Sequence, residues 1–213
     1  MKIIKICFFG DSICMGQGAC ISSNWIVRLS MSIKKEFGDI ALVSISAVNG
    51  RTTRAALENM PFEVQSNPPD ILFVQYGMND CNYWKTDNGV PRVTKDAFKA
   101  NLEEIILRAR ASGVSDIFLN SNHPTGRIND KLPKTNITYE YSNQEYNKLI
   151  RLVANKSNVY FTDISSEFKK LNIEPNKYLL PKPDLLHLND FGHENYYNII
   201  KPKLFERINE HIK

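Results

Sequence analysis

Two short stretches of this chain, residues 3–9 and 71–76, are apolar at almost every position instead of at every second one. A strand with one wet face alternates, whereas a strand covered on both faces has no need to. Such runs call for a sheet with helices on each side. The segments between them carry the matching signal. Ile26, Leu29, Ile33 and Phe37 recur at helical spacing within residues 23–37. Phe98, Leu102, Ile105, Ile106 and Ala109 form the clearest helical stripe, with Gly113 as its stop. Residues 40–46, 115–121 and 158–162 read as further strands. Residues 53–65 read as a helix ended by Pro68-Pro69, and residues 190–212 as a helix interrupted or restarted at Pro202. Ser142-Asn143-Gln144-Glu145 is a capping box that would open a helix bearing Tyr146, Leu149, Ile150 and Val153. Strand and helix alternate five times. The expected fold is therefore α/β, a single domain over residues 1–213 with a parallel sheet between two helical layers.

Composition narrows the function. A chain of 213 residues with 27 Lys and Arg against 23 Asp and Glu carries only +4, too little and too evenly spread for a nucleic-acid binder. The longest uncharged stretch, residues 12–27, contains Gly16, Gln17, Gly18, Ser22, Ser23 and Asn24, so no membrane insertion is expected. The first apolar run meets Gly10-Asp11 too soon for a signal peptide, and a cytoplasmic protein is expected. Cys7, Cys14, Cys20 and Cys81 form no CxxC pair and read as free thiols. No histidine or cysteine has metal-ligand spacing, and Gly16-Gln17-Gly18 lacks the rest of a dinucleotide fingerprint. Neither a metal nor a cofactor is expected. The sequence carries no signal for an oligomeric state.

In an open parallel sheet, ligands bind beyond the carboxyl ends of the strands. The residues there are Gly10-Asp11-Ser12, then Asn49-Gly50-Arg51, then Gly77-Met78-Asn79-Asp80, then Asn122-His123. Asp184-Leu185-Leu186-His187 comes near the end of the chain. A serine hydroxyl needs a base within hydrogen-bond reach to become a nucleophile. Histidine suits that role because it titrates near neutral pH, and a carboxylate on its other nitrogen holds the useful tautomer. Asp184 and His187 are close enough in sequence to make that pair in one turn. An oxyanion needs donors already in place. The backbone N–H groups of Ser12 and Gly50 and the side chain of Asn79 are candidates, with Gly77 making room.

On these residues the chain resembles the SGNH hydrolases, or GDSL-like lipases and acylhydrolases. The resemblance rests on Gly10-Asp11-Ser12, Gly50, Gly77-x-Asn79-Asp80 and Asp184-x-x-His187, in order over about 180 residues. It implies a three-layer α/β/α sandwich with a five-stranded parallel sheet of flavodoxin-like type. It also implies Ser12 as nucleophile, His187 as base and Asp184 as its orienting carboxylate. Ser12, Gly50 and Asn79 would form the oxyanion hole. The sequence departs from the family at Ile13, where Leu is frequent, and at Leu186, where a small residue is frequent. Neither change touches a reacting atom.

The expected activity is hydrolysis of a carboxylic ester through an acyl-enzyme, on a small-molecule substrate. The loops at residues 81–93 and 122–141 are polar, which favours a small polar ester such as an O-acetylated sugar or metabolite. A lysophospholipase, a thioesterase or an acyltransferase would use the same residues, and a non-catalytic binding module would keep only the fold. Arg51, Tyr83, Trp84 and His123 are candidate substrate contacts. For Arg51 the alternative is a surface carboxylate; for Tyr83 and Trp84 it is loop packing; for His123 it is a structural place or a backup base. Arg92 shares the loop of Tyr83 and Trp84. Asp11 reads as structural, His193 as a surface or cap residue, and His211 carries no signal. The charged face of the last helix, with Lys201, Lys203, Glu206, Arg207 and Glu210, reads as solvated.

Overall fold

The computed structural model describes residues 3–213. In chain order, β1 (Ile4–Gly10) leads into the short helix α1 (Ser12–Met15) and then α2 (Trp25–Phe37). β2 (Ala41–Ala47) and α3 (Thr53–Met60) follow, then β3 (Ile71–Gln75) and α4 (Lys95–Ala111). β4 (Asp116–Asn120) precedes α5 (Tyr139–Ser157). After β5 (Tyr160–Thr162) come α6 (Ile164–Lys170), α7 (Pro175–Tyr178) and α8 (Asp190–Ile212). The five strands pair in parallel in the order β2-β1-β3-β4-β5. Helices α2, α6 and α8 gather on one face, and α3, α4 and α5 on the other. This is the three-layer sandwich that the apolar runs require. Every residue of β3 and β4 is buried, whereas β2, at the edge of the sheet, leaves Leu42 and Ile45 exposed.

The register is fixed by an aromatic ladder. Phe8, Phe73, Phe118 and Tyr160 are paired residues on four adjacent strands. Their ring centroids lie 4.7, 4.4 and 4.9 Å apart and nearly parallel, close to the spacing of the strands themselves. Trp25 of α2 meets Phe8 edge-on and packs against Tyr196 of α8, so the ladder is capped by both helices. A slip of one residue would send all four rings to the opposite face.

The structure corrects several of the expectations. The segment expected as one helix over residues 53–65 is α3 followed by a π-helical turn, Pro61–Gln65, because Pro61 has no N–H to continue the ladder. Helix α5 starts before the capping box: Thr138 is its cap, accepting the Tyr141 N–H, while the Ser142 hydroxyl donates to Cys81 O at 2.8 Å. His193, read as a surface or cap residue, is 1 % exposed. It shares a helical stripe with Tyr196, Ile200 and Leu204, and the stripe faces the core. The last helix is also less solvated than expected. Arg207 pairs with the buried Asp116 at 3.0 Å, and the His211 ring joins the same carboxylate at 2.8 Å. Helix α8 runs through Pro202 as one helix.

This packing makes the ladder and the buried histidine testable. Phe73→Ala removes the centre of the ladder and lowers unfolding free energy by about 3–5 kcal/mol, read as a shift of the urea midpoint; a loss below about 1 kcal/mol would show that the ladder is not a stabilising unit. Burial pushes the His193 imidazole down to about 4, so the unfolded chain takes up a proton that the folded chain refuses as pH falls below the ordinary histidine range. That contribution to stability is present at neutral pH and is lost as pH falls through about 4. His193→Gln should therefore lose less stability than the parent between pH 7 and pH 5; parallel urea midpoints for the two proteins would contradict it.

Candidate active site

The strand order reverses direction at β1, with β2 on one side and β3 on the other, and in an open parallel sheet ligands bind at such a switch point. Ser12 stands there as the first residue of α1. A four-residue helix has no stability of its own, so the surroundings hold it. Asp11 caps it, its carboxylate accepting the Ile13 N–H at 3.0 Å. From the start of α2, Asn24 Nδ2 donates to Cys14 O and Trp25 Nε1 donates to Ile13 O, each at 2.9 Å. Gly16 closes the helix in a left-handed conformation.

The histidine arrives on the loop before α8. His187 Nε2 lies 2.9 Å from Ser12 Oγ, and its Nδ1 lies 2.8 Å from Asp184 Oδ2. The other carboxylate oxygen of Asp184 accepts the N–H groups of Leu186 and His187 at 2.8 and 2.6 Å. Burial pushes the Asp184 carboxyl up, but the hydrogen bonds from the ring and backbone of His187 and from Leu186 outweigh it and hold it below its ordinary value. Leu185 turns the chain at a φ of 53°.

Three consecutive carbonyls of this loop are held by the segment after β4. Arg127 Nε donates to Asp184 O, the Gly126 N–H donates to Leu185 O, and His123 Nε2 meets Leu186 O, each at 2.8 Å. His123 is thus not at the rim facing substrate, as its place after a strand suggests. It is fully buried behind the loop. Burial pushes its imidazole down to about 3, so it stays neutral, and a proton on Nε2 makes it the donor to Leu186 O.

The backbone N–H groups of Ser12 and Gly50 have no hydrogen-bond partner among the described residues. Gly50 sits in a turn at a φ of 77° with open space where a Cβ would stand, so its backbone is accessible. Asn79 Nδ2 donates to Asp11 Oδ2 at 3.4 Å, and its Oδ1 accepts Arg92 Nη1 at 3.2 Å. Gly77, at a φ of 130°, makes room for the side chain of Asn122, which lies 2.6 Å from an added Cβ; the space does not belong to a ligand.

Two carboxyls sit beneath this floor. Asp80 accepts the Thr53 N–H at 2.9 Å and the Thr53 hydroxyl at 2.5 Å, tying the end of β3 to the start of α3. Burial pushes Asp80 up to about 6 and Asp11 up to about 7. The charge on Asp80 adds to the rise at Asp11.

The remaining candidate contacts divide. The Arg51 guanidinium is engaged by Glu63 at 2.6 and 2.7 Å, which is the carboxylate alternative. Tyr83 packs against the core. Trp84 is half exposed, with the Arg92 guanidinium 4.4 Å from its ring centroid. Sequence reasoning misses the three-carbonyl clamp on the histidine loop and the Asp80–Thr53 tie. Their only advance signal is position, since residues 80 and 123–127 directly follow strands. Among the described residues no three His, Cys, Asp or Glu side chains gather to hold a metal ion.

Comparison with known proteins bears on the family and the fold. The sequence matches the GDSL-like Lipase/Acylhydrolase family over residues 8–194. The acetyl xylan esterase AlAXEase superposes with a TM-score of 0.76 at 21% identity, over 92% of this chain and 98% of that one. Axe2, an acetylxylan esterase from Geobacillus stearothermophilus, gives 0.76 at 20% identity over 94% of each chain. The lipase/acylhydrolase from Enterococcus faecalis gives 0.75 at 22% identity, over 96% and 97%. These likenesses show the shared fold. An uncharacterized lipoprotein of Bacillus subtilis (strain 168), YqeF, is 26% identical over 119 residues, 52% of this chain and 48% of that protein. The match thus spans about half the length of that relative. The chain belongs to the GDSL-like lipase/acylhydrolase family, a family of ester-bond hydrolases.

Proposed function

We propose that the protein is a serine esterase that cleaves a small, polar carboxylic ester. The observation that carries this reading is the placement of one imidazole, His187, within hydrogen-bond reach of both Ser12 Oγ and Asp184 Oδ2. Asp184 keeps the proton on Nδ1 and leaves Nε2 free to accept. Ser12 Oγ attacks the ester carbonyl while His187 takes its proton. The carbonyl π electrons move to oxygen, and the N–H groups of Ser12 and Gly50 and the amide of Asn79 receive the oxyanion. The intermediate collapses, the C–O bond to the alcohol breaks, and His187 returns its proton to that alcohol. Water then attacks the acyl-serine by the same route, releasing the carboxylic acid and regenerating Ser12.

The substrate class rests on the surroundings of the crevice. A groove of about 500 Å³ beside the Gly50 turn is lined by Thr52, Arg54, Trp84, Asp87, Arg92 and Thr94. Val90 and Pro91 complete the lining, and the charged and hydroxyl side chains beside the exposed Trp84 ring suit an alcohol rich in hydroxyl groups better than an acyl chain. Two of the proteins with a similar fold are named acetyl xylan esterases, and an acetylated sugar is the ester class proposed here.

The test is hydrolysis of p-nitrophenyl acetate, butyrate, octanoate and palmitate. Acetate should be turned over fastest and palmitate not at all. Ser12→Ala should fall to background while keeping the parent circular dichroism. Asp184→Asn should lower kcat on the order of 10³–10⁴-fold, because the wrong tautomer of His187 then faces Ser12. Turnover that survives Ser12→Ala, or a preference for long chains, would contradict the reading.

A further inference from the structure

Arg92 touches the residues that carry two of the three proposed oxyanion donors. Its Nη1 donates to Asn79 Oδ1 at 3.2 Å and its Nη2 donates to Gly50 O at 3.0 Å. The loop after β3 is folded so as to deliver it. The Arg92 N–H donates to Asn82 O at 2.8 Å and the Val93 N–H to Asp80 O at 3.2 Å, which closes the loop at its base. The ring of Trp84 covers the guanidinium, a contact that favours a fixed cation.

This geometry bears on a weakness of any asparagine used as a donor. A primary amide has almost the same shape when turned by 180°, and only its partners decide which end faces where. Turned the wrong way, Asn79 would offer an oxygen to an oxyanion. A guanidinium has donors and no acceptor, so it admits only Oδ1 and sends Nδ2 to the other side, toward Asp11. Asp11 cannot enforce this by itself: burial raises its carboxyl to about 7, and its protonated form could donate to the amide oxygen of a turned Asn79. A charged donor on Oδ1 also draws electron density from the amide and strengthens Nδ2–H as a donor. The second bond, to Gly50 O, restrains a residue whose missing side chain leaves its backbone free.

We propose that Arg92 is a positioning residue for ester hydrolysis: it fixes the amide orientation of Asn79 and ties it to the Gly50 turn, so that two of the three oxyanion donors are set before substrate binds. This rests on the serine-esterase reading above. Substrate need not touch Arg92 for the effect.

Steady-state kinetics with p-nitrophenyl acetate and the Asn79 side-chain amide signal in ¹⁵N-labelled protein test it together. Removing one oxyanion donor costs about 10²–10³ in kcat, and loosening one should cost somewhat less. Arg92→Ala should lower kcat roughly 10–100-fold with KM within about twofold. Arg92→Lys, able to reach one acceptor but not hold both, should recover part of the loss. In an Asn79→Ala background, Arg92→Ala should cost much less than it does alone. The Asn79 NH₂ signals, assigned by their loss in Asn79→Ala, should shift and broaden in Arg92→Ala. An effect confined to KM, an equal loss in both backgrounds, or an unchanged amide signal would overturn the proposal. The amide signal needs no substrate, so it decides on Arg92 even where Ser12→Ala stays active and the esterase reading fails.

Discussion

Parallel strands all end at one edge of their sheet, and every connection leaving them must start there. That constraint organises the rest of the molecule. Covering both faces with helices makes the strands continuously apolar, and the order β2-β1-β3-β4-β5 splits the chain around β1. Backbone groups just past β1, β2 and β3 are thus brought together without any of them being near the others in sequence. Asn79 reaches Asp11, and Arg92 joins Asn79 to Gly50, because sheet topology places these strand ends side by side. His187 owes its place to a separate device, since it comes from a loop that belongs to no strand.

That loop has little regular structure, yet its polar groups are satisfied from several sides. Asp184 binds two N–H groups of its own turn, and the segment at residues 123–127 takes its three carbonyls. Holding the backbone on both sides of the imidazole leaves the ring with few alternatives to its place 2.9 Å from Ser12 Oγ, which is what the proposed role of His187 as base needs. The buried carboxyls of Asp11 and Asp80 carry an energetic cost that a purely structural core would avoid. They sit beside the proposed oxyanion donors, where capping α1 and anchoring α3 hold the backbone next to Ser12 and Gly50.

Much of this is legible in the sequence, and the parts that are not share a cause. The runs mark the strands to within a residue or two, most plainly β1, β3 and β4, where burial on both faces is written into each strand by itself. The four short motifs at strand ends can be placed for the same reason. The start of α5 is ambiguous from sequence because Ser142 and Thr138 are both good caps, and contacts far away make the choice. The Tyr139 hydroxyl donates to Met78 O at 2.5 Å, and Ser142 is used on Cys81. His193 escapes notice because a histidine does not count as part of an apolar stripe. Arg92 reads only as a loop residue. Its partners lie 13 and 42 residues away, on a segment with no periodicity, so nothing local announces them. Interactions written in one segment are readable; those written in two are not.

The central claim is that Ser12 is an activated nucleophile. Intact-mass and peptide-mass analysis after exposure to a fluorophosphonate tests it most directly, because that reagent forms a covalent bond only with a serine whose proton is being removed. One adduct per chain is expected, on the peptide that contains Ser12, formed far more slowly in Asp184→Asn. An unlabelled protein, or an adduct elsewhere while Ser12 stays free, would contradict it.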